Sequence, residues 1–276
     1  MDFESLVSVY IPTHNRCDLL KRAVNSVLDQ SYNNIELIVV NDGSSDGTQQ
    51  YLEDLAKIDS RLKIVNLPTP KGACFARNLA VFEARGQFIT GLDDDDFFTK
   101  DRIKSFVKHS NQLEQFSFIS SATIFFHGYE PNLNIISKAF NKQVVITLKE
   151  LSKFNAIGNQ IFTYTERVKK LGGFDVRLSA WQDYDMWLRL VEKYGPGKNL
   201  LFETYYMDLS PDRVRISTSK KKLSGIKDFL NLHSEKLSLI TLNKFRALLY
   251  VNKMEDFRFN FVFIFYFLVY RLKGFL

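Results

Sequence analysis

Four short apolar runs, each released into a polar loop, constrain the fold of this chain more than any other feature. Residues 6–11 (LVSVYI) are β-branched and apolar and close on Pro12, the pattern of a buried strand entering a loop. Residues 18–30 then place Leu19, Leu20, Ala23, Val24, Val27 and Leu28 on one face of an amphipathic helix. Residues 35–40 (IELIVV) predict a second strand, stopped by the turn formers Asn41-Asp42-Gly43-Ser44-Ser45-Asp46-Gly47 ahead of a helix over 48–57. Residues 63–66 and 88–92 predict two further strands, separated by a helix over 73–85. Such alternation predicts an α/β fold, a parallel sheet with helices on its faces.

Ligands of these sheets bind beyond the carboxyl ends of the strands. Three polar loops should therefore converge: Pro12-Thr13-His14-Asn15-Arg16, Asn41-Asp42-Gly43-Ser44 and Asp93-Asp94-Asp95-Asp96. Four successive aspartates need water, a cation or basic partners to offset their repulsion. A divalent metal such as Mg²⁺ or Mn²⁺ is the natural partner, since carboxylate oxygens are hard ligands and a sparse site leaves positions open for phosphate. The alternative is a solvated acidic turn capping a helix near Arg102. Asp42 is either a cap or Asx-turn residue or a ligand contact. His14 is open to simple solvation, while Arg16 suits a phosphate. Lys71 and Arg77 could balance a diphosphate, or Arg77 could pair with an aspartate of the cluster.

The second half carries an apolar, β-rich run at 116–126. Met186, Trp187, Leu190, Val191 and Tyr194 recur at helical spacing, which puts Asp183 at or just before a helix N-terminus, where an N-cap is the ordinary role. The loop over 155–160 is expected to contribute specificity contacts.

The chain has 276 residues, 45% of them hydrophobic and 25% charged, enough for a sizeable core. Cys17 and Cys74 have neither framework nor zinc-ligand spacing, which argues against a disulfide scaffold and for a reducing compartment. The first fifteen residues contain Asp2 and Glu4 and no basic, then apolar, leader, so a cytoplasmic location is expected. The net charge of +6 is unevenly spread: residues 209–276 hold 13 Lys+Arg against 5 Asp+Glu, so the remainder is slightly acidic. That asymmetry ranks nucleic acid last among partners and points to a surface-seeking appendage. Residues 261–270 form an apolar run of ten, flanked by Arg258, Arg271 and Lys273. A spanning helix needs about 20 apolar residues. A peripheral, in-plane membrane helix is therefore expected, with a buried core helix as the alternative.

The segments V-S-V-Y-I-P-T-H-N-R, V-V-N-D-G-S-S-D-G-T, K-G-A-C-F-A-R-N and G-L-D-D-D-D-F-F, in this order, resemble the nucleotide-sugar-binding half of family 2 glycosyltransferases of the GT-A fold, over roughly residues 5–105. The resemblance implies a Rossmann-like, mostly parallel sheet with flanking helices, followed by a C-terminal helical tail. It divides the chain into a nucleotide-sugar half (1–110), an acceptor half of the same GT-A domain (111–208), and a flexible loop with a basic, aromatic helical tail (209–276). It implies that Pro12, Thr13 and Asn15 line a nucleoside pocket with Arg16 nearby, that Asp42 accepts a hydrogen bond from the base, and that Arg77 faces the nucleotide. Its D-x-D motif falls on Asp93 and Asp95, with Asp93 or Asp94 near the ribose and Asp95 holding Mn²⁺ or Mg²⁺. G-G-F-D and the later D-Y-D-x-W-L-R-L resemble the acceptor half, where a Glu-Asp pair precedes the helix; here the pair is Gln182-Asp183, and the base position, Asp183, is retained. The expected activity is inverting transfer from a nucleoside-diphosphate sugar, most simply a UDP-sugar, to a lipid-linked glycan in bacterial surface-polysaccharide assembly of the O-antigen kind, on the inner face of the membrane. Arg213, Arg215 and Lys220 to Lys222 are candidates to close over the diphosphate, although the histidine common in that region of the family is missing between His127 and His233. The rival reading is a non-catalytic carbohydrate or nucleotide-sugar binding protein, because Gln182 breaks the acidic pair; a metal-dependent phosphohydrolase is a weaker one.

Overall fold

The computed structural model describes residues 5–126, 135–138, 144–157, 160–210 and 221–251. Its first half alternates as expected: β1 (Val7–Thr13), α1 (Cys17–Leu28), β2 (Ile35–Asn41), α2 (Thr48–Ala56), β3 (Leu62–Asn66), α3 (Ala73–Glu83) and β4 (Phe88–Gly91). The second half runs β5 (Phe97–Phe98), α4 (Arg102–Lys108), β6 (Ile119–Phe126), β7 (Ile135–Lys138), β8 (Val145–Ile146), α5 (Leu148–Lys153), β9 (Phe162–Tyr164), α6 (Thr165–Lys170), α7 (Gln182–Tyr194), β10 (Gly197–Asp208), α8 (Lys221–His233) and α9 (Leu239–Val251).

β1 and β2 are buried at nearly every position, as central strands covered on both faces must be. The pleat divides their side chains between two cores. Val7, Val9 and Ile11 join the helices on one face, where α1 contributes Leu20, Ala23, Val24 and Val27, while Tyr10, Ile38 and Val40 face the core on the α3 and α7 side.

The sheet order is β3-β2-β1-β4-β9-β6-β10-β5. β3, β2, β1 and β4 are mutually parallel. Beyond β4 the sheet is mixed: β9 runs antiparallel to both β4 and β6, and β5 is antiparallel to β10, while β6 and β10 are parallel. Apolar periodicity marks where strands are but not which way they run, so the sequence alone shows only the parallel block. From β1 the chain winds one way through β2 and β3 and then returns to place β4 on the other side. The loops after β1 and β4 therefore open at a topological switch point.

α8, α9 and the turn between them bury Ile226, Phe229, Leu237 and Phe245 in the same core as Trp187 and Leu190 of α7, so this C-terminal helix pair packs on the folded body. Lys221 and Lys222 begin α8 rather than a loop. Arg213, Arg215 and the aromatic segment 257–276 lie outside the described residues. Among the described residues, no helix is long and apolar enough to cross a membrane.

Candidate functional site

The loops after β1 and β4 meet through their polar side chains. Thr13 Oγ1 donates to Asp94 Oδ2 at 2.8 Å. One guanidinium nitrogen of Arg16, Nη1, donates to Asp94 Oδ1 and to Asp95 Oδ2, each at 3.0 Å. Asp93 turns the other way, where its Oδ1 accepts from Arg77 Nη2 at 2.9 Å and, more weakly, from Gln160 Nε2 at 3.5 Å. Gln160 is itself fixed by Tyr10, whose hydroxyl donates to Oε1 at 3.1 Å. Asp96 points inward and accepts from Tyr205 OH at 2.8 Å and from the Asp208 backbone N–H at 3.0 Å. Arg22 ties the loop down, donating to the Asp95 carbonyl at 2.6 Å and to Asp208 Oδ2 at 3.0 Å.

The four aspartates are thus chemically distinct. Burial pushes Asp94 up to about 6 even though Arg16 pulls the other way, so desolvation outweighs the ion pair. Burial, with Asp95 and Asp93 nearby, holds Asp96 well above the usual carboxylate range. Asp93 and Asp95 keep partly exposed side chains, at 38% and 24%. The loop does not serve as a cap for α4: the N-cap there is Asp101, which makes no side-chain cap bond. Arg102 is instead buried, bonded to Ser121, Thr204 and the Gln160 carbonyl.

Asp42 joins the second loop to the third. Its two oxygens accept the backbone N–H groups of Lys71 at 2.6 Å and Gly72 at 2.8 Å. The Asx-type role at the start of α2 belongs to Asp46, which accepts from Thr48 and Cys17 backbone N–H groups, so Asp42 does not cap the helix that follows it. Gly43 makes this approach possible: at φ +65° a Cβ there would lie 2.7 Å from the Pro70 nitrogen. His14 Nδ1 lies 2.7 Å from the Asp42 carbonyl oxygen, and Asn15, itself at φ 52°, accepts from the Ser45 N–H at 2.7 Å. Pro12 sits in β1 opposite Val40. Pro12, Thr13, Asn15, Arg16 and Asp42 accordingly share one edge of the sheet.

Asp183 is the second residue of α7, and the N-cap position is Trp181, at φ 65°, with no side-chain cap bond. The N-cap role expected of Asp183 is therefore not the one it plays. Its Oδ2 accepts from Asn155 Nδ2 at 2.9 Å. Enclosure raises its pKa; the Tyr184 N–H, Arg77 and Asn155 oppose the rise, and Asp93 reinforces it. Gln182 accepts from Arg77 Nη1 at 2.8 Å. The largely buried Arg77 thus bridges Asp93 in the loop after β4 to Gln182 in the first turn of α7, the residue before Asp183, so the acidic loop and the start of α7 meet.

Among the described residues no cluster of three or more His, Cys, Asp or Glu side chains has metal-holding geometry. A hard divalent cation that binds through one or two carboxylates and completes its shell with water or phosphate needs no such cluster. The two partly exposed carboxylates, Asp93 and Asp95, have the right donor chemistry for it, while Asp94 and Asp96 are turned into the protein. Sequence reasoning did not single out Tyr10, Arg22 or Asp208, which brace this loop. Arg22 carried one available signal, a cation next to the buried face of α1. Asp208 carried none, because its partner lies 186 residues away.

Residues 8–165 match the family model described as Glycosyl transferase family 2. A protein of Escherichia coli K12 named for colanic acid biosynthesis, the glycosyl transferase WcaA, is 36% identical over 233 residues, covering 84% of this chain and 82% of its own. Staphylococcus aureus TarS superposes with a TM-score of 0.58 at 19% identity, covering 91% of this chain but only 44% of that one. Its 1–349 fragment, solved in complex with UDP-GlcNAc, gives the same score over 88% of this chain and 71% of the fragment. The mannosyltransferase PcManGT of Pyrobaculum calidifontis, solved with GDP-Man and Mn²⁺, gives a TM-score of 0.54 at 17% identity over 93% of this chain and 66% of its own. At these identities the solved structures establish the fold, which is that of GT-A glycosyltransferases.

Proposed function

The chain belongs to glycosyl transferase family 2, and from that premise we propose that it is an inverting glycosyltransferase moving a sugar from a nucleoside-diphosphate donor, a UDP-sugar, to a glycan acceptor in surface-polysaccharide biosynthesis. The observation that carries the reading is the Arg77 bridge, which ties Asp93 of the acidic loop to Gln182, the residue before Asp183 in α7.

In this reading Asp183 takes the proton of the acceptor hydroxyl. The hydroxyl oxygen attacks the anomeric carbon as the bond to the diphosphate breaks, and attack from the face opposite the leaving group inverts the centre without a covalent sugar-enzyme intermediate. Enclosure raises the basicity of Asp183 above that of an ordinary carboxylate, which suits proton removal, while Asn155 and the Tyr184 N–H orient the carboxylate. Pro12, Thr13 and Asn15 line the nucleoside pocket with Arg16 beside it, Asp42 accepts from the base, Arg77 faces the nucleotide, and Asp93 or Asp94 lies near the ribose. Asp95 would hold Mn²⁺ or Mg²⁺, which when bound supplies positive charge to the departing diphosphate. The UDP-GlcNAc complex of TarS supports the nucleotide class and the Mn²⁺ complex of PcManGT supports the metal. The acceptor is read as a lipid-linked glycan at the cytoplasmic face of the membrane, a location supported by the basic C-terminal region. Nucleic acid is not a partner in this reading.

The test is turnover with a panel of nucleotide sugars and acceptor glycans. Asp183→Asn should lower turnover by roughly a hundredfold or more, the usual scale for a positioned base, while leaving UDP affinity unchanged and the thermal midpoint no lower, because burial disfavours the ionised carboxylate that the amide replaces. Near-normal turnover in that variant would remove Asp183 as the base. UDP-sugar binding without transfer or hydrolysis under any condition would instead favour a non-catalytic binding protein.

A further inference from the structure

The proposed membrane location leaves open which surface of the folded body meets the lipid. α9 has no acidic residue, and its buried side is clear: Thr241 and Phe245 are covered, with Leu242, Leu248 and Leu249 packed against the core. The opposite arc begins with Leu239 and Ile240, exposed at 68% and 59%, and continues one and two turns later into exposed Lys244 and Arg246. α5 is fastened to this end of α9. The Ser238 N–H donates to the Ser152 carbonyl at 2.9 Å and Thr241 Oγ1 to the Lys153 carbonyl at 2.5 Å. Phe154, 46% exposed, follows directly on the Lys153 carbonyl that Thr241 holds, and Leu239 follows directly on Ser238, so the two fastened chain segments both carry exposed apolar side chains. Lys149 and Lys153, four residues apart on α5, are both exposed, and Glu150 is the acid on that helix.

Three large apolar side chains left in water, with Lys149, Lys244 and Arg246 exposed on the same two fastened helices and Lys153 paired with Glu150 at 3.9 Å, have the chemistry of an interfacial anchor: apolar groups for the acyl boundary and cations for anionic headgroups. From this charge complementarity we infer that the α5–α9 corner is a docking surface for an anionic lipid bilayer. The inference deepens the membrane location proposed above and rests on it. Its position has a consequence for the reaction. Asn155, which holds the Asp183 carboxylate, follows Phe154 directly in the chain, so a bilayer at this corner lies against the acceptor side of the site. An acceptor carried on a lipid would then reach Asp183 without leaving its membrane.

The experiment is co-sedimentation of the full chain with vesicles of phosphatidylcholine alone and of phosphatidylcholine with 30% phosphatidylglycerol, where the composition is a choice of probe on the order used for anionic leaflets. The wild-type chain should bind the anionic vesicles and lose binding with added salt. Leu239→Glu/Ile240→Glu should weaken that binding by about tenfold or more, with donor hydrolysis unchanged, and Lys244→Glu/Arg246→Glu should weaken it on the anionic vesicles only. Both pairs are exposed, and circular dichroism melting checks that the variants fold. Wild-type binding retained by both double variants would overturn the corner while leaving the membrane location standing. No wild-type binding to either vesicle would overturn both. A double variant that changes only the sedimenting mass of the free protein would mark the corner as a contact between copies of the chain and overturn the lipid assignment.

Discussion

Asp94 offers the sharpest check on the electrostatics of the acidic loop. Its carboxyl is enclosed between Thr13 and Arg16, and its pKa stands at about 6 against an ordinary 3.8. At about 1.4 kcal/mol per unit, that gap makes ionised Asp94 cost the native state about 3 kcal/mol. Below pH 3.8 both native and unfolded chains hold the proton, so the cost is zero. As pH rises, the unfolded chain ionises first, and the cost grows until the native carboxyl also ionises near pH 6, after which it stays constant. Asp94→Asn removes this titration and keeps a near-isosteric neutral group. The variant should match the wild type near pH 3.5 and exceed it by up to about 3 kcal/mol at pH 7. Urea unfolding followed by circular dichroism at half-unit pH steps measures this directly, since with a slope of about 3 kcal/mol/M the midpoints should separate by about 1 M. Taking the difference between the two proteins cancels the titration of Asp96 and Asp183, whose carboxyls burial also raises. A pH-independent difference would show that Arg16 cancels the effect of burial, and a variant less stable at pH 7 than at pH 4 relative to the wild type would show that Arg16 outweighs it; either refutes the argument.

Asp95→Ala should abolish most activity and remove the Mn²⁺-dependent part of UDP binding in titration calorimetry; unchanged metal dependence would move the metal elsewhere. Asp42→Ala should cost about 2–4 kcal/mol of stability, because two backbone N–H groups lose a charged acceptor, and should weaken UDP binding with or without metal. Lost stability with intact nucleotide affinity would assign Asp42 to loop bracing alone. Gln182→Glu should retain activity, since a carboxylate still accepts from Arg77 and only the 2.9 Å donation to the Leu178 carbonyl is lost. A large drop in turnover from that change would show that the amide, not merely an acceptor, is needed beside Asp183.

Much of the first half was legible because its information is local. Apolar periodicity marked β1, β2, β3 and β4 and their helices to within a few residues, and the turn formers after each strand marked the loops that carry Thr13, Asp42 and Asp93. The motif order pointed to the family before any coordinate was needed. Tertiary structure decided whatever depends on partners remote in sequence. Four adjacent aspartates are equivalent as letters. They become different groups because Thr13 and Arg16 take Asp94, Arg77 takes Asp93, and Tyr205 and the Asp208 N–H, more than a hundred residues on, take Asp96. A helix start at Asp183 reads equally well as a cap or as chemistry until Trp181 fills the cap position and Asn155 and Arg77 surround the carboxylate. The direction of β9, and the packing of α8 and α9 into the core, were likewise settled by long-range burial. A residue's own neighbours determine which element it enters, whereas its ionisation and its role depend on the groups that the folded sheet brings around it.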